Sequence, residues 1–185
     1  MADSKYQFDV IVITPGHLDH AQTAIAAAKA GGLGVLDYTF SPANTPAQRE
    51  HIQANLKSLL TGTKPEHRIG LKLSIAQTAG TDQQQGSLLA DLLPLLAGRK
   101  AWLILCTQGR PELPPVKDFL PVDWEGNILI QASESQGLQQ AIQNMEYIQG
   151  VIVRGHECGG FTGAESAFLL TQKASKLFQD SGLAF

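Results

Sequence analysis

Six short apolar segments constrain the fold of this 185-residue chain more than any other feature of its sequence. Their apolar residues run continuously instead of alternating with polar ones, a pattern typical of parallel strands that are covered on both faces. Parallel strands need a crossover between them, and most of the intervals here are long enough to hold a helix. The predicted strands span residues 8–14, 33–38, 68–74, 101–107, 127–133 and 150–155.

Helical patterns fill most of the intervals between these strands. Thr45 followed by Pro46 predicts a helix N-terminus, because a threonine hydroxyl caps free backbone N–H groups and proline suits the first helical position. Pro94 predicts a kinked or divided helix, since proline cannot donate the backbone hydrogen bond. Residues 110–127 contain several prolines and predict an excursion without a helix. The predicted helical segments span residues 17–32, 45–60, 87–98, 135–150 and 164–182.

Strand and helix alternation of this kind predicts an α/β fold with right-handed crossovers. Two layouts fit the pattern, an open doubly wound sheet and a (β/α)8 barrel. A complete barrel has eight strands and takes about 250 residues, whereas six strands are visible here and residues 183–185 resemble the start of a seventh. We therefore expect a single domain over residues 1–185 that is TIM-barrel-like and incomplete, with about six βα units.

Composition narrows the class of partner. The chain has 14 Lys and Arg against 17 Asp and Glu, a net charge of −3, and no basic stripe, so nucleic acid is not expected as a partner. No apolar run approaches the roughly 20 residues of a membrane span, and no signal peptide is visible. Cys106 and Cys158 do not form a disulfide framework and indicate reduced thiols, which favours the cytoplasm.

The heptapeptide TPGHLDH, residues 14–20, resembles the metallo-β-lactamase pattern H-x-H-x-D-H. His17, Asp19 and His20 match that pattern, but Pro15 replaces the first histidine and would leave one metal under-coordinated. We therefore predict no metal site and favour a helix start, where Asp19 interacts with the positive end of the helix dipole. His17 at a cofactor pocket and a metallohydrolase remain the less favoured alternatives. The remaining histidines are His51, His67 and His156.

Three glycine-containing elements occur in order along the chain. Pro15–Gly16 follows the first predicted strand, AGGLG at residues 30–34 joins the first helix to the second strand, and GHECGGFTG at residues 155–163 follows the sixth. The ordered elements resemble the nitronate monooxygenase family, also called 2-nitropropane dioxygenase-like, over about residues 9–170. Members carry A-G-G-L-G and G-x-E-A-G-G-H elements, and Cys158 stands at the alanine position of the second.

The resemblance implies an FMN-dependent oxidoreductase on a (β/α)8 barrel. Glycines at the turns would let backbone N–H groups approach the flavin. Lys72 would lie near the flavin N1–C2 edge and stabilise its reduced, anionic form, Gln131 would bond to the ring edge, and Glu157 would accept from a cofactor hydroxyl. The implied cofactor-binding residues are Pro15, Gly16, Gly32, Lys72, Gln131, Gly155, Glu157, Gly159 and Gly160.

Structural roles remain open for the same side chains. Lys72 could reach solvent, Gln131 could bond to backbone, and Glu157 could be a plain loop carboxylate. Phosphate-binding loops in such barrels follow strands seven and eight, so we expect this chain to offer ring-side contacts only and to bind FMN weakly or not at all.

The catalytic residues remain unknown from sequence. Phe161 stands where the family has the histidine that removes the substrate proton, which leaves His156 and Glu157 as candidates. The segment ESAFLL, residues 165–170, resembles the branch that forms the N-terminal domain of polyketide-synthase-like or polyunsaturated-fatty-acid-synthase-like multienzymes. That branch implies a small-molecule or acyl substrate, with downstream domains or self-association as partners. A non-catalytic docking or scaffold barrel is the alternative.

Overall fold

The structure is a computed structural model that describes residues 10–16, 20–41, 43–74, 87–107, 118, 120, 124–158 and 163–181. Strands and helices alternate along most of this length. The strands are β1 (Ile11–Ile13), β2 (Leu33–Asp37), β3 (Ile69–Ser74), β4 (Trp102–Cys106), β5 (Asn127–Ala132) and β6 (Gly150–Val153). The helices are α1 (Gln22–Lys29), α2 (Pro46–Gly62), α3 (Leu88–Leu92), α4 (Ser135–Gln143) and α5 (Ala167–Asp180).

All six predicted strands are confirmed, and they form one parallel sheet in the order β1-β2-β3-β4-β5-β6. Each strand therefore lies beside the next one in the chain. A doubly wound sheet would reverse its strand order at a switch point. No reversal occurs among the described strands, so the doubly wound alternative is wrong. The fold is α/β, as predicted.

Local signals at the helix ends match the sequence. Thr45 caps α2, because its hydroxyl accepts from the Gln48 N–H while the Gln48 side chain accepts from the Thr45 N–H. Pro94 divides its segment into α3 and a 3₁₀ turn at Leu93–Leu96. The predicted excursion and the seventh-strand segment lie largely or wholly outside the described residues.

The sheet buries both of its faces. On the outer face, leucines and isoleucines of β2 to β5 pack against α1, α2 and α3 in a single core, which includes Leu71, Leu103, Leu56 and Leu89. A second cluster joins β6 to α4 and α5 through Leu138, Leu170 and Phe178. Burial on both faces explains why the strands read as continuous apolar runs.

The inner face shows that the sheet is curled. Leu33, Val35, Ile104 and Leu129 form an apolar cluster there, against which residues of both edge strands pack, namely Ile13 of β1 and Ile152 of β6. The first and last strands can contact one cluster only if the sheet bends around it. The described sheet is thus a half-barrel of six parallel strands with helices on its convex side.

The AGGLG element serves this packing and not a pocket. Gly31 ends α1 with a positive φ of 91°, a conformation that favours glycine. A Cβ on Gly34 would lie 2.0 Å from the carbonyl oxygen of Ala24, so glycine is what lets α1 lie directly on β2. Gly32 precedes β2 and lies at the amino-terminal edge of the sheet, near the Val10 carbonyl.

Candidate functional site

A cavity of about 500 Å³ opens at the carboxyl ends of the strands. Its walls come from β1, β2, β3, β5 and β6 or from the residues directly after them. The carboxyl edge is where active sites form in parallel α/β proteins, because the loops that follow neighbouring strands converge there. The wall is largely apolar, with Ile13 and Ile152 facing a few polar groups, a combination typical of small-molecule sites.

A buried ion pair forms the polar centre of the cavity. Asp37 ends β2 and Lys72 lies on β3, and the two residues are directly opposite in the strand register. The Lys72 Nζ atom lies 2.7 Å from Asp37 Oδ2, and the two side chains are 2% and 8% exposed. The interpretation of Lys72 as a lysine that reaches solvent is therefore wrong.

Asp37 is fixed by further hydrogen bonds. Its Oδ1 atom accepts from the Thr39 N–H at 2.9 Å, and its own N–H donates to the Thr14 hydroxyl at 3.0 Å. The carboxylate thus receives both a charged and a neutral donor, and the charge-assisted hydrogen bond is the stronger kind. The ion pair is held in one geometry by two strands and the turn after β2.

Two polar side chains in the cavity keep unused hydrogen-bonding capacity. The Lys72 ammonium has three donors, and Asp37 is its one acceptor among the described residues. Gln131 is 6% exposed as a whole residue and lines the cavity, and no side-chain hydrogen bond to its amide is found in the described part of the chain. Buried polar groups are normally satisfied, so these donors and acceptors are available to a ligand.

Cys106, the last residue of β4, is buried and contacts Thr39 of the turn after β2. Its Sγ atom lies 3.8 Å from the Thr39 hydroxyl, and burial raises the pKa of the thiol, although the nearby Lys72 ammonium opposes that shift. A buried, protonated thiol is a poor nucleophile. Cys158 differs, because it is exposed and lines the mouth of the cavity.

Gly155 and Glu157, at the described start of the turn after β6, contact the N-terminus of α5. The Ala167 N–H donates to Glu157 Oε1 at 2.8 Å, so the Glu157 carboxylate caps the N-terminus of α5. Hydrogen bonds from its own backbone N–H and from that of Ala167 lower the pKa of Glu157. A Cβ on Gly155 would lie 1.9 Å from the Ala167 nitrogen, so the close backbone neighbour of this glycine is α5.

A polar network fixes the loops after β5 and β6. The Ser135 hydroxyl donates to Glu165 Oε1 at 2.8 Å, and Lys173 donates to the same hydroxyl at 2.9 Å and pairs with the Glu165 carboxylate. The Lys173 and Ser135 hydrogen bonds lower the pKa of Glu165. The starts of α4 and α5 are thereby joined at the carboxyl edge.

The structure brings only part of the predicted set together. Pro15, Gly16, Lys72 and Gln131 all line the cavity. Gly32 does not line it, because it precedes β2 and lies at the opposite, amino-terminal edge of the sheet. The expectation that Gly32 contacts a flavin there is therefore wrong. Gly159 and Gly160 lie outside the described residues, as does Phe161.

The two catalytic candidates also lie apart from the cavity wall. Glu157 caps α5, which is a structural role of the kind that the sequence left open. The His156 side chain is 58% exposed, with Nδ1 at 3.7 Å from Glu157 Oε2. Neither residue lines the cavity.

Asp37 is one site residue that sequence reasoning missed. A signal was present, because an aspartate at the end of the apolar run LGVLD is as unusual as Lys72 in the following strand. Matching the two runs in parallel register would have placed the carboxylate opposite the ammonium. Arg154, which follows β6 and lines the cavity, was missed as well.

The metal hypothesis has little support in the described residues. His17 and Asp19 lie outside them, and His20 is an exposed residue before α1. In the described part of the chain no three His, Cys, Asp or Glu side chains are grouped as a metal site would require.

A second cavity of about 730 Å³ lies at the amino-terminal edge, beside Pro94, Arg99 and Trp124. Arg99 is the charged donor at this cavity, and it already donates hydrogen bonds to the Thr63 hydroxyl and to the Lys64 carbonyl. The amino-terminal edge of such sheets contributes to stability more than to chemistry. The first cavity, although smaller, is therefore the better candidate site.

The fold and site define an α/β half-barrel with a buried lysine–aspartate pair in a cavity at its carboxyl edge. No protein-family model matches the chain, and no curated protein matches it in sequence. Among the described helices, none combines the length and the apolar character that crossing a bilayer requires.

Proposed function

We propose that the chain is the N-terminal part of an FMN-dependent oxidoreductase barrel, similar to nitronate monooxygenases, and supplies the ring side of the flavin site. The observation that carries the proposal is the pair of buried polar side chains, Lys72 and Gln131, with hydrogen-bonding capacity directed to the carboxyl-edge cavity. The half-barrel is compatible with an incomplete (β/α)8 barrel of six units.

The cavity fits the ring of a flavin in size and in chemistry. Ligand sites commonly have volumes of about 300–1,000 Å³, and this one has about 500 Å³. A flavin ring has apolar faces and one edge of alternating acceptors and donors. Ile13 and Ile152 would contact the faces, while Lys72 and Gln131 would bind the polar edge.

FMN would supply the electron-transfer chemistry, and the residues of this chain would orient it and exclude water. Lys72 would hold the ring edge by donating hydrogen bonds, and Pro15–Gly16 would form the wall after β1. Asp37 changes the expected effect of Lys72, because it neutralises most of the positive charge that would stabilise an anionic ring.

The described residues are not expected to supply the part of the site that binds the FMN phosphate. The N-terminus of α5 is a place where a phosphate would bind, but the Glu157 carboxylate and the Ser166 hydroxyl cap it. We therefore retain the prediction of weak FMN binding by residues 1–185 alone.

We further propose an acyl or small carbon-acid substrate, a polyketide-synthase-like multienzyme as the larger context, and a cytoplasmic location consistent with two free cysteines.

Equilibrium dialysis against riboflavin and FMN tests the proposal. We expect weak binding of both with similar affinity, because the ring carries the contacts. Lys72→Met and Gln131→Leu should each reduce the affinity about tenfold. Lys57→Met, at an exposed position of α2, is the matched control. Unchanged affinity in both cavity variants would contradict the proposal, and tight stoichiometric FMN binding would contradict its phosphate part.

Exposed apolar side chains favour a second candidate, a non-catalytic docking module. Phe168 and Leu169 on α5 are 69% and 48% exposed, and Val10 beside the edge strand β1 is 61% exposed. Such groups favour association. Sedimentation of a Phe168→Ser, Leu169→Ser variant against the unchanged chain tests this: loss of self-association with unaltered flavin affinity would favour docking.

A further inference from the structure

We propose that Lys72 is a nucleophile that condenses with the carbonyl group of a small aldehyde or ketone, and that Asp37 accepts the proton that the lysine gives up. The product is an imine, or Schiff base, between the lysine nitrogen and the former carbonyl carbon, and the reaction releases water. Lysine forms such adducts in enzymes, and burial activates it. The inference goes beyond the flavin proposal, because the condensation needs no flavin.

The strand register places Lys72 on the inner face of the half-barrel. Neighbouring residues in the register of a parallel sheet point to the same face, and Lys72 is paired with Ile104 of β4, a member of the inner apolar cluster. Lys72 also lines the carboxyl-edge cavity, although it is only 2% exposed. A small molecule in the cavity would therefore meet this side chain.

Asp37 is positioned to take a proton from the Lys72 ammonium. Its Oδ2 atom lies 2.7 Å from Lys72 Nζ, and its Oδ1 atom is held by the Thr39 N–H. The register of β2 and β3 keeps the two residues directly opposite each other. Transfer of one proton along this hydrogen bond leaves an amine beside a carboxylic acid, and burial lowers the cost of that transfer because it penalises charges.

The condensation balances in protons and electrons and involves no redox step. The amine lone pair forms the N–C bond, the π electrons of the carbonyl group move to its oxygen, and that oxygen takes a proton from the lysine nitrogen. Asp37 then returns its proton to the new hydroxyl group, which leaves as water when the C–O bond breaks. The iminium that remains carries the positive charge beside the Asp37 carboxylate, so the ion pair is restored.

The apolar wall of the cavity suits an imine, because water hydrolyses such an adduct. Ile13 and Ile152 line the cavity beside the polar groups. Val35, Ile104 and Leu129 belong to the apolar cluster of the same inner face. A volume of about 500 Å³ is typical of a site for a small molecule.

Stability alone does not account for the buried ion pair. Replacing such a pair with apolar residues is often neutral or stabilising. The other ionisable residues that line the cavity in the described part of the chain are Arg154 and Cys158. Because the Arg154 guanidinium is positively charged, a ketone with a carboxylate and a ketone without one both belong in the test.

Reductive trapping followed by peptide mapping tests the proposal. The protein is incubated at neutral pH, without flavin, with pyruvate or with butanone, and cyanoborohydride reduces the iminium to a stable secondary amine. We expect Lys72 to be modified at least about tenfold faster than the exposed Lys57 by one ketone or both. A purely structural role predicts the opposite order, because burial shields a lysine from reagents. Modification of Lys72 no faster than that of Lys57 with either ketone would overturn the proposal.

A variant of Asp37 tests its part in the proton transfer. Asp37→Asn removes the proton acceptor and should slow the trapping at Lys72 about tenfold or more. Asp91→Asn, at the surface ion pair with Arg49, is the matched control and should leave the rate unchanged. A folded Asp37→Asn variant that is trapped at the original rate would overturn the role of Asp37. If that variant does not fold, the comparison of Lys72 with Lys57 in the unchanged protein still decides.

The trapping result is separate from the outcome of the flavin proposal. Trapping at Lys72 in a protein that binds neither riboflavin nor FMN would support the nucleophile and contradict the flavin site. Riboflavin binding that depends on Lys72, without any trapping by the two ketones, would support the flavin site and overturn the nucleophile.

Discussion

A Cβ placed on Gly155 would lie 1.9 Å from the backbone nitrogen of Ala167, far inside the distance that two such atoms tolerate. Gly155 follows β6 and Ala167 begins α5, so the two residues mark where the last described strand meets its helix. The Glu157 carboxylate lies over the same glycine and accepts from the Ala167 N–H. The turn is shaped to seat the N-terminus of α5.

Gly155→Ala should destabilise the protein by about 1–3 kcal/mol or more, because the added methyl group has to displace backbone atoms of α5. Urea unfolding followed by circular dichroism measures the change. Gly150→Ala is the matched control, since a Cβ there would lie 3.4 Å from Leu129, an ordinary contact. Equal stability of the two variants would show that α5 does not approach Gly155 as closely as described.

Glu157→Gln should lower the melting temperature at pH 7, because the amide caps the N-terminus of α5 less well than the carboxylate. Hydrogen bonds hold the folded-state pKa of Glu157 below its ordinary value of about 4.3. Its contribution to stability is therefore fully present above pH 4.3 and is lost as the pH falls through the folded-state pKa.

The difference in melting temperature between Glu157→Gln and the unchanged protein should accordingly shrink as the pH is lowered from 7 towards 3. Differential scanning calorimetry across that range measures it. Glu50→Gln, on an exposed position of α2, should show little difference at any pH. A difference for Glu157→Gln that grows towards acid pH would contradict the capping role.

Lys72→Met should reduce the free energy of unfolding by about 3–5 kcal/mol, because it leaves the Asp37 charge buried without its partner. The double variant Asp37→Leu, Lys72→Met should be more stable than Lys72→Met alone, since no buried charge remains. Lys57→Met, at an exposed position of α2, is the control. Chemical denaturation measures the free energy of unfolding of each variant. A double variant that is less stable than Lys72→Met would argue against an ion pair between Asp37 and Lys72.

The two cysteines should differ in their reactivity with a thiol reagent. Cys158 is exposed and should react at once, whereas Cys106 is buried with a raised pKa and should react only when the protein unfolds. Absorbance with Ellman's reagent resolves the two phases. Cys158→Ser should remove the fast phase and Cys106→Ser the slow one. A fast phase that survives in Cys158→Ser would contradict the burial of Cys106.

Thr45→Ala should cost about 1 kcal/mol, because the Gln48 N–H loses its acceptor at the start of α2. Thr45→Ser keeps a hydroxyl at the same position and should retain most of that stability. Thermal unfolding of the two variants side by side measures the difference. Identical melting temperatures for the two variants would indicate that the cap contributes nothing.

Local features of this fold were predictable because short-range chemistry determines them. The continuous apolar runs identified all six strands, and Thr45, Pro46 and Pro94 marked the ends and the break of helices as observed. Each of these inferences uses only neighbours along the chain.

Two glycines of these elements were misread because glycine indicates close approach without naming the atom that approaches. Gly32 and Gly155 were both assigned to a flavin, yet Gly32 lies at the amino-terminal edge of the sheet and the neighbour of Gly155 is Ala167. Whether a glycine accommodates a ligand or a helix depends on distances between segments far apart in sequence.

The sequence by itself determined where strands and helices form and that the sheet is parallel, since apolar periodicity, caps and prolines act within a few residues. Only the tertiary structure decided the strand order, the curl that brings β1 and β6 to one cavity, and the pairing of Asp37 with Lys72 across 35 residues. The physical reason is register. A parallel sheet aligns residues by backbone hydrogen bonds between distant segments, and the partner of a buried charge follows from that alignment.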